Sequence, residues 1–257
     1  MITNYARPTS IPEALQLLEQ PDTHPLGGGT WLNQARDGRF AVVDLQDLGL
    51  NKIRKNGNHL EIDACVSLQQ LLESEDCPES LRQAIRLDAG LNIRNAATVA
   101  GKLVSCDGRS AFATVMLALD AKITSTTLTS KLTSSLGDFL PLRPRGLITS
   151  ISIPLNIRSA FETVGRSPLD KPIVCAALTQ WTIGSANRGR TRLALGGTGN
   201  SPLLALDGTE PDGIEAAARN AVICSANQGD SDQWASSEYR ADVAATLAKR
   251  CLETVNK

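Results

Sequence analysis

Two stretches of this chain are almost bare of side chains, and a bare main chain does one kind of chemistry well: it can aim N–H groups at an anion. The first is Leu26 to Leu32 (LGGGTWL), where Gly27, Gly28 and Gly29 run together and Thr30 adds a hydroxyl. The second is Leu91 to Ser110 (LNIRNAATVAGKLVSCDGRS), where Ala96, Ala97, Ala100 and Gly101 alternate with the donors Thr98, Lys102 and Ser105. Taken together they read as a two-sided cradle for the diphosphate of a dinucleotide. Taken singly, each stretch has a plainer reading. Three glycines also serve a tight strand-to-helix turn that needs positive φ, and small residues also let a helix pack closely. Neither G-x-G-x-x-G nor G-x-x-x-x-G-K-[ST] occurs, so neither of the usual nucleotide folds is supported.

Other chemistry is scarce. His24 and His59 stand apart with no recognisable nucleophile beside them, and His59 reads as structural. The six cysteines, at 65, 77, 106, 175, 224 and 251, are scattered singly, with no C-x-x-C pair. That pattern argues against a zinc site or an iron–sulfur cluster held by this chain, and points to buried free thiols. Charge is balanced, 26 basic against 27 acidic residues, so no field draws nucleic acid or an anionic membrane. No apolar run approaches the roughly 20 residues of a membrane span. The start, MITNYARPTS, lacks a basic region followed by an apolar block, so the expected location is cytoplasmic.

The elements that must position the two stretches follow from periodicity and turn signals. Ser10-x-x-Glu13 is a capping box opening a helix that ends near Pro21, and a strand at Thr23 to Leu26 delivers the chain to the glycines. Thr30 to Arg36 is expected to form a short helix stopped by Asp37-Gly38. Strands are expected at Phe40 to Leu45 and His59 to Cys65, the latter after an Asn56-Gly57 turn. A second capping box, Ser67-x-x-Gln70, starts a helix, and Ser80 to Leu87 and Phe112 to Leu119 read as two more. Lys122 to Thr133 and Leu147 to Ile153 alternate as strands. Beyond Pro154, strands are expected at Ile173 to Ile183 and Thr191 to Leu195, then helices at Asp212 to Ser225 and Ser237 to Val255. Short antiparallel strands with helices between them make this an α+β chain rather than a doubly wound parallel sheet. A domain boundary is expected near residue 155, dividing 1–155 from 156–257, with the first part in two subdomains of about 1–55 and 56–155.

Six segments in order resemble one family. LGGGTWL is similar to its first loop, usually A-G-G-T-D-L, and IRNAATVAGKL to its second, I-R-N-x-A-T-x-G-G-N-I. RPRGLITSISIP resembles the segment closing the flavin domain, and FETVGRSPLDKPIVCAAL the entry to the C-terminal domain. RLALGGTGNSPLLA and SSEYRADVAATLAKRCL resemble that last domain's own signatures. The family is the FAD-binding (medium) subunit of the molybdenum hydroxylases, which includes xanthine and carbon monoxide dehydrogenases. The resemblance implies a two-subdomain FAD-binding PCMH-type fold followed by a smaller α+β C-terminal domain. It implies a flavoprotein oxidoreductase subunit that turns over no substrate alone. Electrons would reach FAD from a partner iron–sulfur subunit, supplied by a molybdopterin subunit, and leave for an external acceptor. Carried over by position, Gly27, Gly28, Gly29, Thr30, Thr98, Ala100, Gly101 and Lys102 would surround the diphosphate. Ile148 would pack near the isoalloxazine ring, with Arg166 and Asp170 shaping the loop beside it.

The chain also departs from the family pattern. Ala100 replaces a glycine, at a penalty of roughly 1–2 kcal/mol if that position needs positive φ. Lys102 replaces an asparagine and either faces solvent or sets a cation beside the diphosphate, while Trp31 replaces an aspartate and either covers a cofactor ring or fills the core. The S-P-x-S-D segment is replaced by CDGRS, so Asp107 or Arg109 would act from a shifted position, and Glu162 stands where a basic residue is usual. These departures motivate a rival reading: a structural subunit of the same complex that keeps the fold and has lost FAD.

Overall fold

The computed structural model describes residues 1–34, 38–167, 170–181, 189–209, 213–225 and 232–257. The chain forms two compact units, each assembled from three separate segments. The first comprises Met1–Glu75, Gly90–Ser105 and Lys122–Ser152, and the second Asp76–Ala89, Cys106–Ala121 and Ile153–Lys257.

In chain order the elements run β1 (Ile2–Ala6), α1 (Ile11–Leu18), β2 (Thr23–Leu26), β3 (Phe40–Asp44), β4 (Ile53–Asn56), β5 (His59–Asp63), α2 (Leu68–Glu73) and α3 (Glu79–Asp88). Next come α4 (Leu91–Ala96), α5 (Val99–Val104), α6 (Ala111–Ala118), β6 (Lys122–Thr126), β7 (Lys131–Ser135), α7 (Leu136–Leu142) and β8 (Leu147–Pro154). The chain finishes with β9 (Ile157–Val164), β10 (Val174–Trp181), β11 (Thr191–Gly196), β12 (Leu203–Gly208), α8 (Ile214–Ser225) and α9 (Ser237–Val255).

The first unit carries two sheets. One is three-stranded in the order β1-β3-β2, and both pairings are parallel. This differs from the expected antiparallel strands, because α1 and the segment after β2 act as crossovers that return the chain in the same direction. The other sheet has five strands in the order β4-β5-β8-β6-β7. Its β4–β5 hairpin pairs Asn56 with His59 and turns through Gly57 and Asn58, with Gly57 at φ +57°, so the glycine opens the two-residue loop and Asn56 stays in the strand. Ala14, Leu15, Val43, Leu45 and Leu147 form one buried cluster of this unit.

The second unit is an antiparallel sheet in the order β12-β11-β10-β9. Its apolar cluster joins Leu178, Leu193 and Leu195 of the sheet to Ala218 and Val222 of α8 and Ala244, Leu247 and Cys251 of α9. α9 has the expected bounds, because Ser236 caps it by accepting the Tyr239 N–H and its apolar residues recur on one face. α3 and α6 pack with β9 and β10 in the same unit.

Local signals account for most elements. At α2 both bonds of the capping box form, Ser67 Oγ accepting from Gln70 N at 3.1 Å and Gln70 Oε1 from Ser67 N at 2.8 Å. At α1 the reciprocal bond shifts by one residue, since Glu13 accepts from Thr9 N at 3.2 Å. Residues 91–104, read as an irregular loop, contain α4 and α5. β1, β4, α7, β9 and β12 have no counterpart among the expected elements; β1 is exposed over its first four residues and α7 contains Pro141, so neither shows the usual pattern. Thr30 to Gln34 form turns, not a helix, and residues 35–36 lie outside the described residues. Thr182 and Ile183 of the expected strand, and Asp212 of the expected helix, also fall outside them.

None of the six cysteines forms a disulfide; Cys77, Cys106, Cys175 and Cys251 are buried, Cys65 is half-buried and Cys224 exposed. Burial pushes the Cys65 thiol up to about 11, and those of Cys77, Cys175 and Cys251 up to about 12. Those four are thiols at neutral pH and supply no nucleophile. Among the described residues no helix is long and apolar enough to cross a membrane.

Candidate functional site

The first glycine stretch leaves the end of β2. Leu26 lies opposite Asp44 in the parallel pairing and accepts the Leu45 N–H at 3.0 Å, so the edge of the sheet fixes where the turn begins. Gly29 turns the chain at φ +70°, and its carbonyl accepts Asn33 N–H at 2.9 Å. Among the described residues, the N–H groups of Gly28, Gly29 and Thr30 find no acceptor. These residues are half-exposed. Consecutive open donors with no side chain over them are a ready anion site.

The second stretch belongs to the same unit and is built differently. α4 ends at Ala96, and the chain then crosses to α5 through Ala97 and Thr98. Leu68 N–H donates to Ala97 O at 2.9 Å and Val99 N–H to Val66 O at 2.8 Å, stitching the crossing to the start of α2. Ala100 N–H donates to Ala64 O at 3.3 Å and Lys102 N–H to Thr98 O at 2.9 Å. The Gly101 N–H is capped by the Thr98 hydroxyl at 3.1 Å. Each donor from Val99 to Lys102 therefore has an acceptor inside the fold.

The two stretches meet. A Cβ added at Gly28 would lie 1.5 Å from the carbonyl oxygen of Ala96, and one at Gly27 would lie 2.9 Å from Thr98 Oγ1 and 3.1 Å from its Cγ2. No side chain fits at Gly28 without moving main chain, so the glycine there is required by close approach. The resulting site has open N–H groups on one wall, a helix turn on the other, and half-buried Lys102 within α5. A doubly negative diphosphate fits such a donor set.

Two alternatives left open by the residues alone are decided by the geometry. Ala100 is helical, not left-handed, so the suspected φ penalty does not arise. Trp31 is 46% exposed and does not fill the core. Ile148 is buried on β8, paired with Ser125 of β6. The Ala96 carbonyl is the participant the sequence reading missed. The small residues at 96 and 97 were the available signal, but side-chain types do not say which main-chain atom a neighbour will touch.

The other assigned residues lie in the second unit. Asp107 pairs with Lys171 at 2.8 Å and accepts the Arg109 N–H at 3.0 Å. Arg109 in turn donates to the carbonyls of Pro172 and Lys171 at 2.8 and 2.9 Å. Both residues thus tie residues 107–109 to 171–172. Arg166 and Asp170 form an exposed pair at 3.7 Å, and the Arg166 guanidinium stacks 3.7 Å above the Trp234 ring. They line a shallow cavity of about 280 Å³ with Leu87, Thr163, Gly165 and Ser167. Glu162 lies on β9 opposite Ala176 of β10, and is half-buried.

Comparison with known proteins bears on what this geometry holds. Residues 1–156 match the family model described as the FAD binding domain in molybdopterin dehydrogenase. The glyceraldehyde dehydrogenase medium chain of Sulfolobus acidocaldarius is 27% identical, with 98% of each chain covered. Subunit alpha of the 6-hydroxypseudooxynicotine dehydrogenase complex of Paenarthrobacter nicotinovorans is 26% identical over 97% of this chain and 93% of its own. Among solved structures, a chain of reconstituted CO dehydrogenase from Oligotropha carboxidovorans superposes with a TM-score of 0.81 at 26% identity, covering 98% of this chain and 96% of that one. The chain belongs to the family of FAD-binding domains of molybdopterin dehydrogenases, as the six ordered motifs implied. It is an FAD-binding oxidoreductase subunit of a molybdenum hydroxylase-family dehydrogenase complex, and the expected α+β class holds.

Proposed function

We propose, from that membership, that this chain binds FAD with its diphosphate against the open N–H groups of Gly28, Gly29 and Thr30. Gly27 and Thr98 shape the floor, and Ala100, Gly101 and Lys102 form the facing helix turn. When bound, FAD supplies the redox chemistry between iron–sulfur clusters of a partner subunit, fed by a molybdopterin subunit, and an external acceptor. The chain's own part is to bind and orient. Residues 1–155 carry the cofactor and 156–257 form the C-terminal domain of a cytoplasmic hetero-oligomer. Trp31 is assigned as a cover for a ring, Ile148 is the apolar wall assigned to the isoalloxazine, and Asp107, Arg166 and Asp170 are assigned by their place in the sequence.

The observation that carries this reading is the run of three acceptor-free N–H groups beside a second turn of the same unit. It also favours the cofactor-binding subunit over the cofactor-free scaffold, because a scaffold gains nothing from open donors. The test is FAD titration of apoprotein, followed by flavin fluorescence, for wild type and Lys102→Glu. Wild type should load FAD, and the variant should bind at least about tenfold more weakly, since a charged hydrogen bond contributes about 1.5–3 kcal/mol. Equal affinity would remove Lys102 from the diphosphate site. A wild type that stays colourless with added FAD would return the scaffold reading.

A further inference from the structure

Arg240 is the bulkiest side chain that the described residues bury almost completely, at 1% exposed. Stability alone does not explain it. It lies in the first turn of α9, where the helix dipole disfavours a cation, and its Nε finds no acceptor among the described residues. Its other two nitrogens reach three places in the second unit. Nη1 donates to Ile173 O at 3.0 Å and to Gly197 O, and Nη2 donates to Asp232 Oδ1 at 2.6 Å.

Two of these arms lead to residues assigned to the cofactor. Gly197 N–H donates to Gly108 O at 2.7 Å, and Gly108 N–H to Gly199 O at 3.1 Å, so the first arm seats residues 107–109 and with them Asp107. Asp232 Oδ1 also accepts the N–H groups of Trp234 and Ala235, at 2.9 and 3.1 Å. The second arm thus fixes the Trp234 ring, on which the Arg166 guanidinium stacks at 3.7 Å while Arg166 pairs with Asp170.

We infer that Arg240 is a positioning residue for the cofactor: one buried guanidinium holds Asp107 and Arg166 in a single frame, through Gly197 on one side and Asp232 on the other. This rests on the assignment of Asp107, Arg166 and Asp170 to the cofactor in the proposed function. A planar fork with fixed donor directions suits the task, and the point charge of a lysine does not.

The test uses the full-length protein with added FAD. Arg240→Lys keeps the charge and loses the fork. It should quicken exchange of the Gly197 and Trp234 amides at least about tenfold and leave the Leu68 amide of the first unit unchanged. It should also weaken FAD binding about 3- to 10-fold and alter the visible spectrum of the bound flavin, which a merely structural arginine would not do. Asp232→Asn weakens one arm, so Trp234 should quicken and Gly197 should not. Arg166→Gln is the reference, because it changes an assigned residue directly. If both amides exchange as wild type in Arg240→Lys, the inference fails. It fails equally if they quicken and Arg166→Gln weakens FAD binding while Arg240→Lys does not. If they quicken and neither variant touches the flavin, the frame stands and the assignment of these residues to the cofactor fails instead. Should Arg240→Lys not fold, Asp232→Asn decides against the same reference: a quickened Trp234 amide with wild-type flavin binding overturns the inference.

Discussion

The two turns are alike in composition and opposite in construction. Both are glycine- and alanine-rich, both come after a regular element, and both sit in the first unit. Yet the turn after β2 leaves three N–H groups without an acceptor among the described residues, while the turn between α4 and α5 satisfies every donor from Val99 to Lys102 internally. The difference lies in how the chain continues beyond each turn. Gly29 at φ +70° turns the chain before a helix forms, leaving the N–H groups around it without acceptors among the described residues, whereas Thr98 caps a helix that uses its donors. Small residues in the first turn expose donors; in the second they permit approach.

The largest test of that contrast is Gly28→Ala. Its Cβ would meet the Ala96 carbonyl at 1.5 Å, so the turns must separate. Overpacking against main chain should cost about 3 kcal/mol or more, and FAD affinity should fall by about 100-fold or more, read as flavin retained per chain after gel filtration. Ala100→Gly probes the other turn and should do far less. Because Ala100 is an ordinary helical residue, restoring the family's glycine should destabilise α5 by about 1 kcal/mol in urea unfolding and should not tighten FAD binding. An affinity gain would mean that this position takes up a left-handed conformation when the cofactor binds.

The smallest effect concerns the sheet that bears the first turn. The Tyr5 hydroxyl donates to Asp44, next to the strand end where the turn begins, and this bond raises its pKa above the usual 10. The folded state therefore holds this proton more tightly than the unfolded chain. Its contribution is complete below the unfolded value and is lost as pH rises through the raised one. A melting-temperature series from about pH 9 to 12, a range set by the ordinary tyrosine value of about 10, should fall more steeply for wild type than for Tyr5→Phe. Parallel slopes would show that the bond contributes nothing.

The contrast between the turns also marks what could be read from the residues alone. Ser67 and Gln70, Asn56-Gly57, and the apolar recurrence in α9 are local signals, and the structure obeys them because a cap or hairpin is decided within a few residues. The glycines at 27–29 announced a bare turn for the same reason. Whether a donor is open depends on partners distant in sequence, such as Ala64 and Val66 for the second turn, and no local pattern encodes those. The parallel pairing of β1 with β3 was hidden likewise, since β1 is exposed and shows no alternation. Asp107 was a candidate ligand by type, but its ion pair with Lys171 joins residues 64 positions apart.

The chain changes allegiance after Glu75, Ala89, Ser105, Ala121 and Ser152, lending α3 and α6 to the C-terminal sheet before that sheet has been written in the sequence. During synthesis those helices emerge first and must wait for β9 and β10, the strands they pack with in the finished protein. A fragment ending near residue 155 would stay in that waiting condition permanently. Short of its sheet, it is a poor candidate for independent expression.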